Sequence, residues 1–147
     1  MMKMTGTEKT RQTVMKSIKK NLIIEPLHDT FSVCKVPDFS LVNLEHSFCF
    51  TVSTDEEKSL VCPLSLVPQN VTDREDGWRG FRIKGTLDFS LIGILSGILN
   101  VLAYNEISVF VLSTFNTDYV FVKQEEFDKA LQVLKRSYTV AETIYEV

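Results

Sequence analysis

The chain has 147 residues, of which 44% are hydrophobic and 24% charged, and carries a formal net charge of −3. This composition excludes a wholly disordered chain and leaves enough apolar side chain for one ordinary core, or for two small units that share an interface. There is no run of eighteen apolar residues, so neither a membrane-spanning helix nor a membrane partner is expected.

Residues 1–20 hold Lys3, Lys9, Arg11, Lys16, Lys19 and Lys20 against Glu8 alone, a charge of +5 that leaves −8 for the rest. A basic tail can touch nucleic acid or an anionic surface. This one has no aromatic residue and an acidic body behind it, so a solvated tail without a nucleic-acid partner is expected. It is too polar for a signal peptide, and a cytoplasmic location follows as the expectation. Cys34, Cys49 and Cys62 sit in apolar or strand-like runs and read as buried free thiols. Joining His46 to Cys49 or His28 to Cys34 gives single pairings where a closed zinc site needs four ligands, so no metal is expected.

Asp38-Phe39-Ser40-Leu41 recurs as Asp88-Phe89-Ser90-Leu91, and Phe50-Thr51-Val52-Ser53-Thr54 is echoed by Phe110-Val111-Leu112-Ser113-Thr114. The pairs lie 50 and 60 residues apart, so the chain reads as an internal duplication whose second copy has about three extra helical turns. In the first copy a strand is expected over 31–36 and an abbreviated crossover over 38–41. A hairpin of strands 48–53 and 59–62 follows, around Thr54, Asp55, Glu56 and Glu57. Pro63, Pro68 and the charged stretch 72–77 then lead into Trp78. The expected division is a tail at 1–20, an abbreviated first unit at 21–75 and a second unit at 76–147.

In the second copy, residues 81–84 alternate apolar and charged and predict a strand that Gly85 closes. Ser90 stands as an N-cap before Leu91, Ile94, Leu95, Ile98, Leu99 and Leu102, whose spacing predicts a helix with one apolar stripe. Its other side carries Gly93, Ser96, Gly97 and Asn100. Glycine costs a helix about 1 kcal/mol relative to alanine, so either a close backbone approach or a ligand at the first turn is implied. Residues 107–112 and 119–122 predict a hairpin that is apolar at nearly every position, with one face under helices and the other under a second sheet or subunit. Glu125, Glu126 and Asp128 open a second helix and Lys135 and Arg136 close it, with Phe127, Ala130, Leu131 and Leu134 inward. A closing strand over 139–147 completes the order βαββαβ, an α+β fold on the ferredoxin-like plan.

No phosphate-binding, dinucleotide, zinc-protease or serine-hydrolase motif is present, and neither His28 nor His46 has a nucleophile placed beside it by the sequence. Neither an enzyme nor a cofactor is expected.

The run Gly77-Trp78-Arg79, then 85–95 around Leu87-Asp88-Phe89-Ser90-Leu91 and Gly93-Ile94-Leu95, then 107–122 around Ser113-Thr114-Phe115 and Thr117-Asp118-Tyr119 resembles small bacterial tandem ACT-domain proteins. Glu57, Ser59, Val61, Cys62 and Pro63 fit the first half of that pattern. The family is similar to the CASTOR arginine sensors and to the regulatory end of aspartate kinases. The resemblance implies two packed ACT units without catalysis, which bind a free amino acid or similar small molecule at a domain interface. The positions it implies are Ser90, Leu91, Ile92 and Gly93 at the helix start and Thr114, Phe115, Asn116, Thr117 and Asp118 in the hairpin. Thr54 and Glu57 bound the equivalent turn of the first copy.

The chemistry is consistent with that implication: N–H groups at a helix start take a carboxylate, and Asp118 takes an ammonium. Asp118 can also merely shape the turn. Lys58 stands where the first copy would need the equivalent acid, so one site per chain is expected. The expected protein is a homodimeric amino-acid sensor, and the alternative is a ligand-free ACT assembly module that mediates protein–protein contact.

Overall fold

The computed structural model describes residues 6, 9, 10, 22–84 and 93–142. Its elements are β1 (Ile23–Pro26), β2 (Phe31–Lys35), β3 (Phe50–Ser53), β4 (Lys58–Pro63), β5 (Asp73–Lys84), α1 (Ile94–Tyr104), β6 (Val109–Ser113), β7 (Asp118–Lys123), α2 (Phe127–Lys135) and β8 (Thr139–Val140). Short 3-10 turns at Leu64–Leu66 and Gln124–Glu126 follow β4 and β7.

One strand carries the others. Trp78 of β5 pairs with both Phe31 and Lys123, and Phe81 pairs with both Pro26 and Val120. Thus β7 fills one edge of β5, while β2 and β1 follow each other along the opposite edge. The hairpin β3–β4 extends the sheet beyond β2, β6 extends it beyond β7, and β8 pairs in parallel with β1.

Side-chain alternation divides this sheet into layers. Phe81 and Ile83 of β5 and Val120 and Val122 of β7 pack under Ile94, Ile98 and Leu102 of α1 and Phe127, Ala130 and Leu134 of α2. On the opposite face, Trp78 and Phe121 meet Phe31, Val61 and Leu27, with Phe48, Phe50, Phe110, Leu112 and Tyr119 around them. The sheet curls upon itself there, so the second cover anticipated for the β6–β7 hairpin is the first half of the same chain. Phe121 sits edge-on to Phe31 at 5.1 Å and stacks on Phe110 at 4.8 Å between ring centres. The far side of the first half is a smaller cluster of Cys34, Leu60 and Cys62 with Val42, Cys49, Val67 and Val71. All three thiols are free; Cys34 and Cys62 are buried and Cys49 is half-buried.

Three expectations differ from the structure. First, β5 begins at Asp73 rather than at residue 81, because the charged residues read as a connection pair with β2 and keep their side chains in solvent. Second, α1 begins at Ile94 with Gly93 as its N-cap at φ +94°, a left-handed backbone suited to glycine. Gly93 therefore precedes the helix rather than lying on its side, and Ser90, Leu91 and Ile92 lie outside the described residues. Third, the closing strand is described for two residues only, and 143–147 fall outside the description.

Two contacts fix neighbouring elements to one another. Gly97 of α1 faces Tyr138, and a Cβ at that position would lie 2.8 Å from the tyrosine oxygen, so close packing accounts for this glycine. On β1, Glu25 accepts from Arg82 at 2.6 and 3.0 Å and pairs with Lys84 at 3.1 Å. Burial pushes the Glu25 carboxyl up, but the hydrogen bonds and charges of Arg82 and Lys84 outweigh it and hold it below its ordinary value.

Gly97→Ala should destabilise the fold by about 1–3 kcal/mol, and Tyr138→Phe in the same chain should reduce that loss, both read from urea denaturation midpoints. Glu25→Gln tests the second contact. A carboxyl lowered in the folded state contributes stability that is present above its unfolded value and is lost as pH falls through the folded one. The variant should therefore be less stable than the parent by about 1 kcal/mol near pH 7, with a gap that closes below about pH 4.5. A gap that is the same at pH 7 and pH 3 would show that the charge of Glu25 is not its source.

Candidate functional site

Both hairpin tips are built by threonine. The Thr54 N–H donates to the Glu57 carbonyl at 2.9 Å and the Thr114 N–H to the Thr117 carbonyl at 2.8 Å. In return, the Glu57 N–H donates to Thr54 Oγ1 at 3.1 Å and the Thr117 N–H to Thr114 Oγ1 at 3.3 Å. These reciprocal bonds close each turn locally. Asp118 lies just outside these reciprocal bonds, at the base of the second hairpin.

Asp118 opens β7 directly opposite Ser113, the last residue of β6, and Oδ1 accepts from the Ser113 hydroxyl at 2.5 Å. Two and four residues on, Val120 and Val122 point into the helix layer, so alternation places the half-buried Asp118 on the helix side of the sheet. The register of β5 with β7 ends with Arg82 opposite Tyr119, and just beyond it the Thr117 hydroxyl donates to the Ile83 carbonyl at 2.5 Å. The second hairpin tip is thereby tied to the end of β5, from which the chain proceeds towards Gly93 and α1. Thr114, Thr117 and Asp118 are brought together here, with Phe115, 86% exposed, and Asn116 at the outer corner.

Thr54 and Glu57 lie elsewhere. Lys35 pairs with Ser59 on one side and with Asp73 on the other, so the first hairpin tip is at the starting end of β5. About 30 Å of strand separates it from Asp118. Within one chain the two tips belong to separate places.

A second group escaped the sequence reading. Arg82 reaches across β1 to Glu25 and across β7 to the Tyr119 hydroxyl at 3.4 Å, with its guanidinium 5.6 Å from the centre of the Phe48 ring. Phe48 itself has φ +63°, an uncommon conformation for a bulky residue, and its ring meets Phe31 and Tyr119 edge-on. Arg82 was visible in sequence only as the polar member of an alternating strand. Its partner Glu25 lies 57 residues away, and no local spacing connects them. Among the described residues, no group of three or more His, Cys, Asp and Glu side chains is placed to hold a metal ion. No described helix is long and apolar enough to cross a membrane.

Residues 73–136 match the ACT domain family. That segment runs from β5 to the end of α2. The chain is 28% identical over 102 residues to the cytosolic arginine sensor for mTORC1 subunit 1 of Rattus norvegicus, covering 69% of this chain but 30% of that protein. Among solved structures, a protein from Agrobacterium tumefaciens superposes with a TM-score of 0.75 at 23% identity, covering 86% of this chain and 98% of the other. The regulatory subunit of aspartate kinase from Thermus thermophilus superposes with a TM-score of 0.56 at 8% identity, over 78% of this chain and 96% of that one. Residues 73–136 are therefore an ACT domain, set in a curled α+β sheet that has the ACT fold and is similar to regulatory ACT proteins.

Proposed function

We propose that the protein is a non-catalytic, cytoplasmic regulatory sensor whose second half binds a free amino acid at a domain interface. The observation that carries this reading is Asp118: a half-buried carboxylate near the end of β5, with a serine hydroxyl but no cation among the described residues in ion-pair reach. An amino acid's ammonium meets that requirement, and backbone N–H groups near Gly93 suit its carboxylate. The similarity to an arginine sensor supports the same class of ligand. In this reading residues 21–75 and 76–147 act as two units, the first lending β1 to the sheet of the second. The protein works as a homodimer, for which β6 supplies support: it is half-buried, apolar and paired along one edge only among the described residues.

Thermal denaturation in the presence of each of the twenty amino acids should identify at least one that raises the midpoint. For that ligand, Asp118→Ala should weaken binding about ten- to a hundredfold by calorimetry while the fold persists, as expected when a charge-assisted hydrogen bond is lost. Lys58→Ala should leave the affinity within about twofold. Unchanged affinity in a folded Asp118→Ala protein would remove Asp118 from the site, and no response to any amino acid would favour an assembly module. Light scattering should give about twice the chain mass, and a monomer at micromolar concentration with and without ligand would dismiss the dimer.

A further inference from the structure

The two hairpins set opposite charges at one structural position. Lys58 opens β4 opposite Ser53, just as Asp118 opens β7 opposite Ser113. Each bonds the serine of its own hairpin: Lys58 Nζ donates to Ser53 Oγ at 3.3 Å, and Ser113 Oγ donates to Asp118 Oδ1 at 2.5 Å. Both are half-buried and alternate with buried residues on the face away from the aromatic interior, Leu60 and Cys62 in one case and Val120 and Val122 in the other. The neighbouring strand is tied to each hairpin at this end, since the Val36 N–H donates to the Lys58 carbonyl and the Thr117 hydroxyl, one residue before Asp118, donates to the Ile83 carbonyl.

The reach of the two side chains makes the exchange meaningful. An extended lysine carries its nitrogen about 6 Å from Cα. An aspartate oxygen lies about 3.5 Å from Cα, and a bound ammonium adds a further 2.7–2.9 Å or so, which brings it to about the same distance. The charge on Lys58 is also used within its own half. Asp38 is held below the ordinary carboxyl range first by the Ser40 hydroxyl, then by the Ser40 N–H and Asn70, and also by the charge of Lys58. Asp118 has a hydroxyl partner and no Lys, Arg or His in ion-pair distance among the described residues.

We propose that Lys58 is a built-in substitute for a ligand: its ammonium occupies, in the first half, the place that a primary ammonium from solution occupies against Asp118 in the second. The first half is thereby closed to ligand, and the group recognised by the second is a primary amine. This deepens the amino-acid reading and rests on it for the occupant of the second half alone.

The test uses n-propylammonium chloride against equimolar sodium chloride, with thermal midpoints of the full chain as the readout. Lys58→Asp sets an acid where the chain had its own cation. It should gain about 2–4 °C more from propylammonium than the parent does. Asp118→Lys supplies the second half with its own cation and should lose the gain shown by the parent. A Lys58→Asp gain no larger than the parent's would overturn the proposal. So would an Asp118→Lys protein that keeps the parent's full response, a result that stands even if Lys58→Asp does not fold. Should no amino acid stabilise the parent while both propylammonium differences appear, the sensor reading fails and the lysine substitution stands.

Discussion

The whole arrangement depends on β5 having two usable edges and no side chain at position 80. At Gly80 a Cβ would lie 2.7 Å from the Phe121 ring and 3.2 Å from the Val120 carbonyl. The missing side chain lets the Phe121 ring lie directly on the strand, within reach of Phe31, Phe50 and Phe110. Those rings form the interior between the two halves of the curled sheet. A larger residue at position 80 would displace Phe121, and the two hairpins would lose the surface they share.

The ferredoxin-like plan is present with an interruption. In the second half, β5, β7 and β6 are neighbours in the expected way, with two helices on one face. The last strand, β8, does not reach β5, because β1 from the first half lies between them. Glu25 secures that strand by binding Arg82 and Lys84 of β5, an ion-pair group that also borders the aromatic interior through Tyr119. The halves are thus joined by backbone hydrogen bonds and charge as well as by apolar packing.

The hairpins, the helices and the ACT resemblance were legible in the sequence, for identifiable physical reasons. Residues 107–122 combine β-branched and aromatic runs with a Thr-x-x-Thr turn, and 125–136 combine helical spacing with charges that suit the helix dipole. What escaped was set by partners distant in sequence. A strand of four residues ending in Pro26, beside a basic tail, has no pattern of its own and exists because β5 and β8 offer their edges. The first half of β5 was obscured by Asp73, Arg74, Glu75 and Asp76, charges a connection would also carry. At the candidate site, the internal repeat revealed the hairpin positions and the exchange of Asp118 for Lys58. It could not reveal that the two tips stand at opposite ends of one strand, since that follows from pairing directions.

The placement of β1 also bears on the order in which the sheet can be completed. Ile23 and Ile24 are made well before their neighbours, which are Lys84 and Ile83 on one edge and Thr139 and Val140 on the other. Until the last of these leaves the ribosome, an early strand has an open edge, and closing it requires contacts over more than a hundred residues. The nascent chain therefore has no independently finished first half to set aside, and a break introduced between the halves would leave each with an unpaired strand edge exposed to association with other chains.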